Sequence, residues 1–304
     1  MTPMSRRPED RVALSRLAAR TQAALTCCRL CPLDCRVDRS RGELGICGLG
    51  PGANSYKAFI HRGEERALIP SYTIYLTGCN LRCSFCSERP IVVDPSLGRP
   101  LSEWPSREQL AAARRSGARN LHFVGGEPIV NLPGILDFLV RHEVACRGWP
   151  LVINTNLYAS PVARQVLLEV ADVIVADLKW GNEACASRLS SAPGYLPLVL
   201  DNLAWLVAGG ASLMLRHLLV PGHLDCCTRP LLGEMGAWPT LPLNLMTGYV
   251  PFGSSDASAS GQAGPAEASM PTLGERRALT ERILALPEAQ ALNVWVDGEA
   301  VRRS

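Results

Sequence analysis

From residue 71 onward the chain alternates short apolar runs with longer amphipathic stretches, and this alternation limits the fold more than any other feature. The runs are SYTIYLTG (71–78), NLHFVGG (120–126), LVINTN (151–156), DVIVADLK (172–179), SLMLRHLLV (212–220) and LPLNLMTGYV (241–250). Each is apolar or β-branched, as in strands buried on both faces. Helical stretches at 106–117, 133–146, 161–170, 198–208 and 225–236 lie between them. Strands alternating with helices build βαβ units on a parallel sheet. Six strands in about 180 residues fall short of an eight-strand barrel, which needs about 250. The expected fold is therefore α/β, an open or partial barrel. A small, polar, glycine-rich stretch at 253–271 predicts a flexible loop, and a helix (272–286) and a strand (291–298) follow it.

Ahead of residue 71 the pattern differs. Residues 10–25 predict an amphipathic helix, and 27–55 a loop-rich segment with turns at Arg41-Gly42 and Pro51-Gly52. Two units are expected: a cysteine-rich extension over 1–70 and a barrel domain over 71–304. The chain is 47% hydrophobic with a net charge of +3. That suffices for a sizeable core and excludes disorder over its whole length. Thirty-one basic residues face twenty-eight acidic ones without a strong block, so nucleic acid is not an expected partner. The first 25 residues lack the apolar core of a secretory signal. The longest charge-free apolar run, Leu203 to Leu215, is too short to span a bilayer. A cytoplasmic protein without membrane attachment is expected.

Twelve cysteines make about 4% of the chain, well below the 8–10% of a disulfide scaffold. They fall in local knots, which in a chain of this length point to metal ligation in a reducing compartment. Cys79, Cys83 and Cys86 follow the first strand in GCNLRCSFC. That spacing does not fit one helical face but can wrap a loop around a compact centre. Thiolate ligands select an iron–sulfur cluster or zinc. Three thiolates on a four-iron cluster would leave one iron open. Upstream, Cys28, Cys31, Cys35 and Cys47 are spaced C-x2-C-x3-C-x11-C, with Cys27 a substitute for Cys28. Four thiolates suffice for a closed site, either zinc or iron–sulfur, with a structural or electron-relay role. Cys146, Cys185, Cys226 and Cys227 fit no ligand spacing, and the Cys226-Cys227 pair reads as helix packing.

Several polar residues stand at predicted strand ends, where parallel barrels build their sites. Gly125-Gly126-Glu127-Pro128 closes the second strand; Asn154, Thr155 and Asn156 close the third; Asp177 and Lys179 close the fourth. Lys179 and Lys57 are the two lysines of the chain, which otherwise uses arginine. Arg216 and His217 lie within the fifth strand, so one of them must face inward.

With these pieces in place, the chain resembles the radical S-adenosylmethionine (SAM) enzymes. C-x3-C-x2-C after the first strand of a partial barrel is similar to that superfamily's signature. The resemblance implies a partial (β/α)6 barrel in which Cys79, Cys83 and Cys86 hold a 4Fe–4S cluster whose fourth iron is chelated by the methionine part of SAM. It implies that Phe85 packs near the adenine, and that Gly125, Gly126 and Glu127 meet the SAM amino group. Asp177 and Lys179 would contact ribose and carboxylate. Asn154 and Asn156 are candidates for ribose or substrate, and Arg216 for the SAM carboxylate. More specifically, CRLCPLDCRVDRSRGELGICG (28–48), NTNLY (154–158), DLK (177–179), LRHLLVPG (215–222) and LNLMTGYVPFG (243–253) resemble a branch of the pyruvate formate-lyase activating enzyme group. The eight-cysteine ferredoxin-like insert of many such enzymes is missing, since 87–124 contain no cysteine. The activity so implied is reductive cleavage of SAM to a 5′-deoxyadenosyl radical that abstracts hydrogen, from a glycine of a partner enzyme or from another protein or small molecule. An external one-electron donor such as flavodoxin or ferredoxin would serve it. A non-enzymatic iron–sulfur electron carrier is the alternative that the residues alone leave open.

Overall fold

The computed structural model of the chain describes residues 11–63, 65–251 and 269–301. One mixed sheet organises them. Its strands are β1 (Asn54–His61), β2 (Ser71–Leu76), β3 (Arg99–Pro100), β4 (Asn120–Gly125), β5 (Leu151–Thr155), β6 (Val173–Asp177), β7 (Leu213–Leu218), β8 (Leu243–Met246), β9 (Val294–Val296) and β10 (Glu299–Ala300). The spatial order is β10-β9-β8-β7-β6-β5-β4-β2-β1-β3. Every pairing from β2 through β4 to β9 is parallel. The two ends, β3 and β10, do not pair, so the sheet is an open, partial barrel.

Six of the parallel strands are the runs expected from sequence. The predicted strand at 291–298 becomes β9 and extends the parallel series beyond six. The sheet also takes in β1, which pairs antiparallel with β2 from within residues 1–70. Its signal was weak because six of its eight residues are only half-buried, without a clean alternation. The predicted loop at 253–271 lies almost wholly outside the described residues.

Helices cover the outer face: α1 (Arg11–Ala23), α2 (Arg107–Arg115), α3 (Pro128–Arg141), α4 (Pro161–Val170), α5 (Glu183–Ser190), α6 (Tyr195–Ala208), α7 (Arg229–Met235) and α8 (Leu273–Leu284). Their starts follow local chemistry. Ser106 and Gln109 form a capping box on α2, and Ser160 caps α4 with Pro161 in its first turn. α3 begins five residues before the expected 133, because Glu127 caps it and Pro128 opens it. α5 is short and polar and was missed, although Asn182 caps it through the Cys185 N–H at 2.8 Å.

The core follows the two-residue period of the strands. Ile74, Phe123, Ile153, Ile174 and Leu215 face outward into the helical layer and are buried. The inner face is different at its two ends. Leu68, Val152, Val175 and Met214 plug the lower end. At the upper, C-terminal end of the strands the inward positions turn polar and leave a cavity. Among the described residues, no helix is long and apolar enough to cross a membrane.

Candidate active site

The cavity measures about 330 Å³, within the 300–1,000 Å³ range of small-molecule sites. Its wall includes Cys79, Cys83, Phe85 and Cys86 from the loop after β2, and Gly125, Gly126 and Glu127 from the end of β4. Asn154, Thr155, Asn156, Asp177, Lys179 and Arg216 complete it from β5 to β7. Every barrel residue nominated from sequence therefore lines one cavity.

The glycines serve close approach. A Cβ on Gly126 would stand 2.1 Å from the Gly78 carbonyl oxygen. The Gly126 N–H donates to Leu76 O, and the Glu127 N–H to Gly78 O, both at 2.8 Å. These bonds carry β2–β4 pairing past the strands and fix the root of the cysteine loop. At its far side the loop is tied to α5: the Arg82 N–H donates to Ser190 O at 2.9 Å and the Ser84 N–H to Leu189 O at 2.8 Å.

The thiols carry hydrogen bonds of the kind that ligand sulfurs accept. Leu81 N–H donates to Cys79 Sγ at 3.3 Å, and the Ser190 hydroxyl to Cys83 Sγ at 3.0 Å. Burial pushes all three thiols up, Cys86 to about 11, so free thiols here would stay protonated. A bound metal centre reverses that preference. The Lys179 ammonium lies close enough to Cys83 and Cys86 to favour their ionised forms. Three thiols on one short loop in the wall of a cavity would suit an iron–sulfur cluster with three protein ligands, so the donor set fits.

Glu127 is buried and satisfied on three sides. Oε1 accepts from Ile129 N–H at 2.9 Å and Thr155 Oγ1 at 2.6 Å, and Oε2 accepts from Asn156 N–H at 2.9 Å. A carboxylate has about four acceptor positions, so one remains for an ammonium group. Burial dominates and raises its pKa to about 7, despite these three bonds.

A polar chain runs across the barrel floor. Arg216 forks onto Glu65, with Nε to Oε1 at 2.7 Å, and Asn244 donates to the same oxygen at 2.8 Å. Both ions of that pair are buried. Burial alone would raise Glu65; the bonds from Arg216 and Asn244 outweigh it and hold the carboxyl below its ordinary value. Arg216 Nη1 then donates to Asn154 Oδ1 at 3.0 Å. Lys179 Nζ donates to Asp177 Oδ2 at 2.8 Å. Burial disfavours both charges, but their mutual attraction keeps Asp177 low and Lys179 high, so both are ionised.

Three of the nominated residues also have partners within the protein. The Arg216 guanidinium, nominated for the SAM carboxylate, is committed to Glu65, a residue no motif marked. Asn156 spends its side chain on the loop, donating from Nδ2 to Asn80 Oδ1 and accepting from Tyr158 N–H, both at 2.9 Å. Asn154 and Asn156 thus position the wall from within it. Phe85 meets Trp180 edge-on at 5.5 Å and Tyr249 at 6.2 Å, with its ring on the cavity. His217 faces away from the cavity: Nδ1 is 2.7 Å from Leu178 O and Nε2 3.0 Å from Thr228 Oγ1. Burial lowers its pKa to about 4, so it is neutral.

In the N-terminal segment, the Cys31 thiol is pushed to about 12 by burial and then by Cys47, Cys28 and Cys35. Those four cysteines are therefore neighbours, while Cys27 is exposed. Arg39 is buried beside them, with Nη1 3.8 Å from Cys28 Sγ. Its charge would offset part of the negative charge of a four-thiolate centre. The segment also abuts the cavity loop, since a Cβ on Gly78 would meet Leu49 at 2.7 Å and Cys47 O at 2.9 Å.

A further cluster was not expected. Cys185, Cys226 and Cys227 converge with His223, all ligand atoms within 4.8 Å of one another. The reading of Cys226-Cys227 as simple helix packing is corrected by this arrangement. The available signal was H-x2-C-C at 223–227, which gains its third thiol only from tertiary structure.

The chain is 33% identical over 209 residues to an uncharacterised protein, MJ0674, of Methanocaldococcus jannaschii, covering 67% of this chain and 60% of that one. It is 26% identical over 147 residues to a 7-carboxy-7-deazaguanine synthase of Methanopyrus kandleri, covering 42% of this chain and 58% of that one. The chain thus spans about three fifths of either relative's length. Among solved structures, a radical SAM methyltransferase from Sphaerobacter thermophilus superposes with a TM-score of 0.53 at 18% identity, over 74% of this chain and 66% of that one. SuiB of Streptococcus suis, bound to the precursor peptide SuiA, gives 0.52 at 15% identity, over 72% and 46%. These likenesses show the fold. The profile of the radical SAM superfamily matches residues 73–232, from the first parallel strand through the cysteine loop and the cavity to α7. With more than half its length matched, and the fold agreeing, the chain belongs to the radical SAM superfamily.

Proposed function

We propose that Cys79, Cys83 and Cys86 hold a 4Fe–4S cluster, that SAM occupies the cavity, and that the enzyme abstracts hydrogen from a glycine of a partner protein. The observation that carries the reading is the convergence of three thiols, Glu127 and the Asp177–Lys179 pair on one cavity. When bound, the cluster and SAM supply reductive carbon–sulfur cleavage and a carbon radical that takes the hydrogen.

The chain's own residues do the rest. Glu127 offers its free acceptor position to the SAM ammonium. Lys179, held by Asp177, offers the remaining Nζ hydrogens to the SAM carboxylate, and Asp177 can accept from ribose hydroxyls. Phe85 gives the adenine an apolar face. The Glu65–Arg216–Asn154 chain keeps this wall rigid. Cys28, Cys31, Cys35 and Cys47 hold a second centre, zinc or iron–sulfur, that fixes the segment against the cysteine loop. Electrons come from an external donor of the flavodoxin or ferredoxin type. Likeness to the activating-enzyme group in the quoted motifs supports a protein glycine as the target. The relative named a 7-carboxy-7-deazaguanine synthase keeps a small-molecule substrate as the rival.

Deuterium transfer separates them. The reduced enzyme is incubated with protein from cells grown on α-deuterated glycine, and 5′-deoxyadenosine is analysed by mass spectrometry. Deuterium in the nucleoside supports the glycine reading. Turnover stimulated by the small-molecule fraction instead, with no deuterium from protein, refutes it.

The Glu127 pKa sets a pH dependence. The site binds an ammonium only with Glu127 ionised, so a proton leaves Glu127 on binding below about pH 7. SAM affinity should then fall about tenfold per pH unit well below 7, level off near neutral pH, and fall again as the α-amino group of SAM loses its proton at about pH 8. Calorimetric titrations between pH 5.5 and 8 read this slope, and Glu127→Gln should remove it. The same slope in that variant would assign the proton elsewhere.

A further inference from the structure

We propose that Cys185, His223, Cys226 and Cys227 bind a single zinc ion in a closed site of three cysteines and one histidine, outside the cavity. Five of the six ligand-to-ligand distances match the edges of a tetrahedron, and the sixth, Cys185 Sγ to Cys227 Sγ, is within 4.8 Å. Zinc bonds of about 2.3 Å to sulfur and 2.0–2.1 Å to nitrogen give ligand edges of about 3.8 Å between sulfurs and about 3.5 Å from sulfur to nitrogen. His223 Nδ1 lies 3.4 Å from Cys185 Sγ, 3.3 Å from Cys226 Sγ and 3.7 Å from Cys227 Sγ. Cys226 Sγ lies 3.9 Å from Cys185 Sγ and 3.8 Å from Cys227 Sγ. A disulfide would need about 2.05 Å.

The local backbone serves this convergence. Residues Leu224–Thr228 form a π turn, with the Thr228 N–H donating to His223 O at 3.0 Å. His223, Cys226 and Cys227 stand at i, i+3 and i+4, the spacing that brings side chains to one face of a helical turn, and π turns are common at functional sites. Gly181 admits this turn, since its Cβ would stand 2.0 Å from Cys227 O. The Asn182 amide, which also caps α5, donates to Cys185 Sγ at 3.3 Å and Cys227 Sγ at 3.2 Å. Such N–H···S bonds orient and stabilise ligand thiolates. His223, Cys185 and Cys227 are buried, whereas Cys226 is exposed and gives the ion an entry. A tetrahedral set of sulfur and nitrogen at single-ion spacing selects zinc.

The site joins α5 to the segment after β7. α5 is the helix that holds the cavity's cysteine loop through Leu189 and Ser190. Trp180 bridges the two places, 5.5 Å from Phe85 and 5.3 Å from His223. The ion thus clamps the outer support of the catalytic loop.

The test is metal content of the full chain, measured by mass spectrometry after anaerobic purification from zinc-supplemented cultures. Cys226→Ser and His223→Ala should each lose one zinc per chain and keep their iron. Cys226→Ser changes an exposed position, so its fold should survive, which circular dichroism checks. Cobalt-loaded wild type should show an intense thiolate charge-transfer absorption, of which Cys226→Ser loses a component that Cys31→Ala keeps. Equal zinc in wild type and both variants would overturn the proposal, as would an iron ion in its place. A disulfide among Cys185, Cys226 and Cys227, found by alkylation without reduction, would overturn it too. The readout is metal content, so failure of the zinc proposal leaves the reading of the cavity as a SAM site standing.

Discussion

Alanine at Cys79, Cys83 or Cys86 is expected to abolish SAM cleavage and strip the cluster. Each thiol is a proposed ligand, so its loss should exceed the 10–100-fold effects seen when groups around a metal site are altered. Two remaining thiols cannot hold the cluster in the loop. Alanine at Cys31 or Cys35 should lower metal content and stability but leave measurable cleavage, because those thiols face the N-terminal segment and not the cavity. Iron analysis and 5′-deoxyadenosine yield, measured together, distinguish the two sets. Complete loss in the Cys31 variant with its cavity cluster still present would make the N-terminal centre part of the chemistry.

Gly126→Ala should be nearly as damaging, though it removes no ligand. The new Cβ meets Gly78 O at 2.1 Å and Thr77 O at 2.7 Å. Both are backbone atoms and cannot rotate away. The end of β4 must then separate from the root of the cysteine loop, breaking the bonds from Gly126 N–H and Glu127 N–H. Overpacking of this kind costs about 3 kcal/mol, at the upper end of its ordinary range. A fall in melting temperature on the order of 5–10 °C is expected, with cleavage lost. Gly233→Ala is the control. It lies in α7, where a Cβ meets nothing within 4 Å, and should be neutral or slightly stabilising. Wild-type cleavage in Gly126→Ala would show that the loop tolerates displacement.

These two expectations rest on features the sequence displays openly. The triad and the glycine pair are contiguous motifs at strand ends, and the strands themselves are apolar runs of a length only a buried sheet explains. What escaped depends on distance along the chain. Glu65 lies 151 residues from its partner Arg216, in a segment with no strand signal. That pairing gives the arginine a structural role beside its place in the cavity wall. Cys185 is 38 residues from His223, so no spacing rule joins them; a π turn and the absence of a side chain at Gly181 do. β1 was illegible for another reason. As an antiparallel strand near the sheet edge it is only partly buried, and its residues lack the apolar run that marked its neighbours.

The central claim is that the cavity binds SAM against an open-site cluster. Its most direct measurement is 5′-deoxyadenosine formation by anaerobically reconstituted, reduced protein. The account predicts 5′-deoxyadenosine and methionine in equal amounts, produced by the wild-type chain and by none of the Cys79, Cys83 or Cys86 variants. Protein that carries a reducible 4Fe–4S cluster yet yields no 5′-deoxyadenosine with any reductant would contradict it.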